Sequence, residues 1–323
     1  MNRILNQLIR SRNVLLASHS NPDGDAIGSL LALGLCLDGL GKRTFLFNES
    51  PIPAVYRFLP EVDRVAGNLP VGFNYDTVVV LDCGDIQRIG DIAEKVSRMP
   101  LIINIDHHST NTGFGQLQLI DTDACATAEI VYRMIKKMGV SITEEIACSI
   151  YTGILTDTGS FRFSNTNRAA FAICEEMVGQ GVNPYHIAQY VYGTYSLGRI
   201  KLLNLALDSI EISTNGKLSM MTVTRAMMEE TGTQQQDADG LINYARGIED
   251  VKVAVLIQED SNGKAGPTTP NQYHVSLRSD GSIDVGAVAI DFGGGGHTSA
   301  AGFNVNTPLS DLKSQIFQWA EKM

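Results

Sequence analysis

The placement of apolar positions divides the chain into two parts of different character. In the first part, unbroken apolar runs alternate with stretches of helical period. The runs "VLLAS" (14–18), "RTFLF" (43–47), "TVVVL" (77–81) and "LIINI" (101–105) predict strands, and segments 26–40, 85–97 and 125–139 predict helices. Unbroken apolar strands separated by helices indicate a parallel sheet covered by helices on both faces. Beyond residue 140 the period stays helical, with helices predicted at 143–155, 167–180 and 184–192.

After "YVYGTYSLGRI" the pattern changes. Gly193 and Gly198 bracket a hinge, a helix is predicted over 199–210, and shorter strands follow at 218–224, 251–258 and 272–279. The segment "EDSNGKAGPTTPNQ" reads as an exposed loop, and a glycine run, "FGGGGHTSAAGF", lies near the end. The expected organisation is an α/β domain over 1–192, a hinge and linker helix over 193–210, and a smaller α/β domain over 211–323.

Composition changes little of this. The chain has 323 residues, 44% hydrophobic and 19% charged, which is ordinary globular composition with room for two cores. The apolar run Leu30–Leu37 is stopped by Asp38, well short of the roughly 20 residues a membrane span needs. Ile4, Leu5, Leu8 and Ile9 follow helical spacing rather than the pattern of a signal-peptide core. A cytoplasmic location without a membrane partner is the expectation. The five cysteines are odd in number, far apart and without a C-x-x-C pair, so they read as reduced core thiols.

Charge narrows the partners. The formal net charge is −10 and Lys and Arg form no cluster, whereas a grip on long nucleic acid needs a basic stripe to neutralise phosphates. An anionic substrate would therefore be small, with bound metal supplying local positive charge.

The candidate chemistry sits where the first-half strands end. "LIINIDHHST" is built to be buried, yet it runs into Asp106, His107 and His108. Buried charge persists only when it is paired or bound to metal. "VLLASHSNPDGD" supplies His19, Asp23 and Asp25, and "TVVVLDCGD" supplies Asp82. In a parallel sheet these ends share one edge, where open α/β folds place their ligands. Asp157, in "GILTDTGSFRFSNT", follows a helix that reaches the same edge. Imidazole plus carboxylate without thiolate suits Mn²⁺, Fe²⁺, Co²⁺ or Zn²⁺ better than Ca²⁺. Two such ions, roughly 3.5–4 Å apart, activate water and clamp a phosphoryl group.

Plainer readings compete at each residue. "DGDAIG" fails as a calcium loop, since its fifth position is Ile27 and its twelfth Gly34. Asp23 or Asp25 alone could cap a helix, Asp82 alone could be a turn residue, and Asp85 reads as a helix N-cap. His186 and His274 read as structural. The case for His19 and His107 is their convergence with four carboxylates on one predicted edge.

"HSNPDGD", "VVVLDCGD", "IDHHSTN" and "GILTDTGSFRFSNT", in this order, resemble the four motifs of the DHH phosphoesterases. "VSLRS" followed by "FGGGGHTSAAGF" resembles the DHHA1 domain that accompanies one branch of them. The resemblance covers nearly the whole chain, and its layout is similar to the short two-domain members. It implies a parallel-sheet DHH domain, a smaller α/β DHHA1 domain and an active-site cleft between them. It implies a hydrolase of short RNA or DNA oligonucleotides, or of 3′-phosphoadenosine 5′-phosphate, using two divalent ions, with manganese expected.

Carried residue by residue, the resemblance gives one metal to His19, Asp23 and Asp82, and the other to Asp25, Asp82, His107 and Asp157. It makes Asp82 the bridge, places His108 on the substrate phosphate and Asp106 behind the histidines. Arg278, Ser279 and His297 would grip the far end of the substrate, with Gly295 and Gly296 letting backbone N–H groups approach an anion. Arg162 either reaches toward the substrate or lies on an exposed strand. The glycine run matches neither a P-loop nor G-x-G-x-x-G; a flexible turn is its plain reading. Competing functions are a phosphodiesterase for linear or cyclic di-adenylate, a manganese pyrophosphatase, a single-strand DNA exonuclease and a nucleotide sensor without turnover. A homodimer is a further implication, with "YVYGTYSLG" as the candidate contact.

Overall fold

The computed structural model describes residues 1–70, 74–193, 195–260, 271–296 and 298–323. Its contacts divide into two units, Met1–Thr194 and Tyr195–Met323. The first unit runs α1 (Asn2–Arg10), β1 (Asn13–Ser18), α2 (Gly24–Gly39), β2 (Arg43–Phe47), β3 (Val65–Ala66), β4 (Thr77–Leu81), α3 (Ala93–Ser97), β5 (Ile102–Asp106), β6 (Leu117–Ile120), α4 (Thr127–Met138), α5 (Glu144–Asp157), α6 (Arg168–Gly179) and α7 (Pro184–Ala188). Its six strands pair in the order β3-β2-β1-β4-β5-β6, all parallel.

The strand runs explain this sheet. Side chains alternate between its faces, and both faces are buried: Val14 and Leu16 join the core with α2, α4 and α5, while Leu15 and Ala17 join a smaller core on the other side. The strand order reverses between β1 and β4, the point at which such sheets open a crevice at their carboxyl ends. α2 is buried almost all round, since it lies against α4 and α5 as well as the sheet.

Two predicted helices are interrupted. Segment 85–97 forms a 3₁₀ turn, Ile86–Ile89, and the short α3, separated by Gly90 at φ +89°. A side chain on Gly90 would collide with the Glu49 carboxylate, which accepts the Asp91 N–H at 2.6 Å and pulls the chain out of helical register. Segment 184–192 forms α7 and then a π-helical turn, Gln189–Gly193.

The second unit runs α8 (Leu197–Asp208), β7 (Glu211–Ile212), β8 (Leu218–Val223), α9 (Arg225–Thr231), α10 (Ile242–Arg246), β9 (Val253–Glu259), β10 (Gln272–Ser279), α11 (Val285–Asp291), β11 (Gly295–Gly296), β12 (Ala300–Asn306) and α12 (Leu309–Ala320). Its sheet has the order β11-β12-β10-β9-β8-β7 and is mixed, with β8 and β9 parallel and the other pairs antiparallel. α11 and α12 pack on one face; α8 and α10 pack on the other. α8 buries Leu202 and Ala206 against Met221, Val223 and Met228, so it packs with the second unit.

All five cysteines are free, four of them buried and Cys148 half-buried. Among the described residues no helix is long and apolar enough to cross a membrane.

Candidate metal centre

The carboxyl ends of β1, β4 and β5 carry the charged residues to the point where the strand order reverses. His19 directly follows β1. Its Nδ1 lies 2.9 Å from the Ser20 carbonyl oxygen, which can only accept, so Nδ1 carries the proton. Nε2 is thereby left 3.5 Å from Asp82 Oδ2 and 4.0 Å from Asp23 Oδ1. Asp23 caps α2, accepting from the Asp25 and Ala26 backbone N–H groups at 3.1 and 3.0 Å. Oδ1 both takes the two capping N–H groups and faces His19, and Oδ2 takes no part in the cap, so capping and a place in the cluster are compatible.

Asp25 is fully buried in the first turn of α2. Its Oδ2 accepts from Thr127 N at 2.6 Å, and its Oδ1 from Ala128 N at 2.8 Å and Ser29 Oγ at 3.2 Å. It thus serves the amino end of α4, whose own cap residue, Ala126, has no side-chain acceptor. Asp82 leaves β4 with φ +54°, a left-handed backbone that a non-glycine residue adopts only under constraint. Its Oδ1 accepts from Thr127 Oγ1 at 2.9 Å.

His107 repeats the arrangement of His19. Nδ1 faces the Ala124 carbonyl at 3.3 Å, leaving Nε2 3.7 Å from Asp82 Oδ1, 3.6 Å from Asp157 Oδ2 and 3.9 Å from Asp25 Oδ2. Asp157, the last residue of α5, accepts from Asn165 Nδ2 at 2.9 Å. His108 turns its Nδ1 to Asp106 Oδ1 at 2.6 Å, and Asn111 Nδ2 donates to Asp106 Oδ2 at 2.6 Å. The rings of His107 and His108 meet edge-on, 70° apart with centroids 4.9 Å apart, so both face the cluster, although alternation along an extended chain would send them to opposite sides.

Three donor groups follow: His19, Asp23 and Asp82; Asp25, His107 and Asp157; Asp82, His107 and His108. Within each, the donor atoms lie within 4.8 Å of one another. The electrostatics suit a cation. Burial raises Asp25 well above its ordinary value, and Asp82 and Asp157 facing it add to the shift. Burial also raises Asp157 to about 6, with Asp23 and Asp82 adding and His107 opposing. Burial would lower His107, but Asp157, Asp25 and Asp82 outweigh it and raise it to about 9. Burial would raise Asp82, but His19 hydrogen-bonded to it and the charges of His108 and His107 hold it well below the usual carboxylate range. Crowded carboxylates that draw protons onto themselves and onto neighbouring imidazoles are what a divalent ion relieves.

Other predicted residues lie elsewhere or differ from expectation. Asp85 caps the 3₁₀ turn through Gln87 N at 2.8 Å. Arg162 is not on a strand: it sits in a turn where Gly159, Ser160 and Phe161 all have positive φ, and its Nε donates to the Gly159 carbonyl at 2.7 Å. Arg278 is half-buried on β10, on the face opposite Tyr273, Val275 and Leu277. Ser279 is buried at the end of the same strand. Strand alternation turns it inward, where its hydroxyl donates to the Thr298 carbonyl at 3.2 Å and accepts from Gly281 N at 3.2 Å. The glycine run is more than a turn, since Gly295 and Gly296 form β11 against Gly302 and Ala301 of β12. His297 lies outside the described residues. Thr127, Asn111 and Asn165 were not given roles by sequence reasoning. Asn111 and Asn165 stand inside the quoted motifs, but Thr127 stands in none.

The chain matches the DHH family, N-terminal domain, over residues 13–154 and the DHHA1 domain over 217–322. A parallel sheet bearing an aspartate–histidine cluster at its carboxyl edge, with both domains in sequence, defines a phosphoesterase that hydrolyses phosphate ester bonds. The chain belongs to this DHH–DHHA1 family. It is 34% identical to the "Bifunctional oligoribonuclease and PAP phosphatase NrnA" of Thermus thermophilus, over 90% of this chain and 83% of that one. It is 26% identical to the protein of the same name from Bacillus subtilis, over 90% and 89%. The crystal structure of an exopolyphosphatase-related protein from Bacteroides fragilis superposes with a TM-score of 0.88 at 27% identity, covering 99% of this chain and 95% of that one.

Proposed function

We propose that the chain is a two-metal phosphoesterase for short nucleotides. It would hydrolyse short oligonucleotides to nucleoside monophosphates and 3′-phosphoadenosine 5′-phosphate to adenylate and phosphate. The observation that carries this reading is the convergence of His19, Asp23, Asp25, Asp82, His107 and Asp157 on one sheet edge. The names of the relatives and the acidic chain without a basic cluster support the choice of substrate.

The donor set fits two divalent ions, manganese foremost. His19, Asp23 and Asp82 would hold one; Asp25, Asp82, His107 and Asp157 would hold the other. When bound, such ions supply Lewis-acid charge to phosphoryl oxygens and lower the pKa of water. The protein's own part is positioning. The Ser20 and Ala124 carbonyls accept from Nδ1 of His19 and His107, so that Nε2 is the nitrogen aimed inward and the one that would exchange its proton for a cation. Asp106 accepts a hydrogen bond from the Nδ1–H of His108, which leaves Nε2 to meet the substrate phosphate. The Asp106 carboxylate holds the ring in the orientation for that contact. Arg278 offers a planar fork to a second phosphate. The same reading includes a cytoplasmic homodimer, with exposed Tyr190, Tyr195 and Leu197 in the candidate contact segment.

The test is hydrolysis of a 5′-phosphorylated dinucleotide in manganese by wild type and by Asp82→Ala. Equal rates would remove the mechanism. A panel with a pentanucleotide, 3′-phosphoadenosine 5′-phosphate, cyclic di-adenylate and pyrophosphate, compared by kcat/KM, ranks the substrates.

A further inference from the structure

Thr127 is fully buried at the start of α4 and touches two carboxylates that come from distant parts of the chain. Its backbone N–H holds Asp25, and its hydroxyl holds Asp82 Oδ1 at 2.9 Å. The two oxygens of Asp82 face different neighbours. Oδ2 is 3.5 Å from His19 Nε2, and Oδ1 is 3.7 Å from His107 Nε2. The cluster therefore has an outer half, His19 with Asp23, and an inner half, His107 with Asp25 and Asp157.

We infer that Thr127 is a positioning residue: its hydroxyl fixes the rotation of the Asp82 carboxylate, so that one oxygen faces each half, and thereby sets the affinity of the inner half for a divalent cation. The inference rests on the metal-site reading above. A carboxylate turns easily about its terminal bond, and a single directed donor on one oxygen removes that freedom. Burial makes the contact matter, because a buried carboxylate oxygen that loses its donor bears the full cost of that loss. The packing around Thr127 is close. A side chain on Gly153 of α5 would lie 2.7 Å from Ala128 Cβ and 3.0 Å from Asp25 Oδ1. A glycine there lets α5 approach the start of α4, and the Asp25 contact with α4 is kept.

The hydroxyl has no helix-capping task to explain it. The N–H groups at the start of α4 are met by Asp25, 102 and 103 residues away in sequence. Hydrogen-bonding partners behind metal ligands typically govern about 10–100-fold in metal affinity. The expected size is in that range, and it falls on one ion rather than on both.

The experiment is calorimetric titration with Mn²⁺ alone, on metal-free wild type, Thr127→Val, Thr127→Ala and Thr127→Ser. Asp23→Asn, which removes an outer donor, assigns the remaining event to the inner half. Thr127→Val keeps shape and backbone N–H but loses the hydroxyl. The inner affinity should fall about tenfold or more while the outer stays within about threefold, and Thr127→Ser should restore it. Thr127→Ala should show the same loss, and serves if valine crowds the site. Circular dichroism and melting of the metal-free proteins report folding independently of metal. Inner affinities within twofold of wild type in folded Thr127→Val and Thr127→Ala would overturn the inference and leave the metal site standing. A wild type that binds no Mn²⁺ would overturn both.

Discussion

The outer and inner halves of the candidate metal centre use the same residue types in different surroundings. Asp23 is 54% exposed at its side chain and caps a helix from outside, whereas Asp25, two residues later, is completely buried. His19 is raised by Asp82 and Asp23 against its own burial, but only His107, facing three carboxylates, is raised to about 9. Water can screen the charge of the outer half. In the inner half the charge is met by backbone N–H groups, by the Ser29 and Thr127 hydroxyls, by the Asn165 amide and by His107, with far less access for water at Asp25. The inner half is thus the more preorganised and the more dependent on metal.

The largest effect should come from removing what the halves share. Asp82→Ala should lower kcat/KM by on the order of 10³-fold or more, since each ~1.4 kcal/mol of lost charge stabilisation is tenfold. Calorimetry should show both Mn²⁺ events weakened. Loss of one event with the other intact would break the picture of a shared bridge.

Next come the two adjacent histidines. His107→Ala should weaken the inner ion by about 10–100-fold, while His108→Ala should keep both ions and lose turnover by on the order of 10²-fold. Metal titration beside kcat separates them, and the reverse pattern would sink the division of roles.

The pH dependence sharpens the comparison further. His107 sits at about 9 in the metal-free site and carries its proton at pH 7. An ion entering the inner half must displace that proton, so affinity should rise with pH by up to about tenfold per unit between pH 7 and 9. Proton release, read from calorimetry in buffers of different ionisation enthalpy, should be at least one at pH 7, from His107, with buried Asp25, raised well above its ordinary value, adding to it. Asp157, at about 6, is already largely ionised at pH 7 and adds release only below that. Pure outer-half binding would show a weaker dependence.

The smallest effect concerns access. Cys83, beside Asp82, is pushed by burial up to about 12, and burial with Glu129 pushes Cys125 up strongly. A thiol reagent at pH 8 should label at most the half-buried Cys148 in the native protein and all five thiols after unfolding. Rapid labelling of Cys125 but not Cys83 would mean that the inner half opens first.

Much of this was legible in sequence because local patterns carried it. The four main strands fall within a residue of their predicted ranges, since an unbroken apolar run has few other ways to bury both faces. The site residues stood out because Asp106, His107 and His108 interrupt such a run. What was missed has physical reasons. Segment 85–97 has a helical period, but a contact from Glu49 breaks it. Ser279 and Arg278 are neighbours in sequence, and the strand turns them to opposite faces. Leu312, Ile316 and Ala320 carried a readable four-residue spacing for α12 that sequence reasoning left unused.

The sequence by itself determined which residue types reach the sheet edge, because strand period and chain order settle where His19, Asp82 and His107 emerge. It did not determine how their atoms are turned. That depends on the Ser20 and Ala124 carbonyls, on Asn111 and Asn165, and on Thr127 spanning 45 residues to Asp82. Such contacts have no period and no spacing to read, since they exist only once the helices have packed around the edge. Only the tertiary structure decided that one carboxylate would be exposed, its near neighbour buried, and the shared one held with an oxygen toward each.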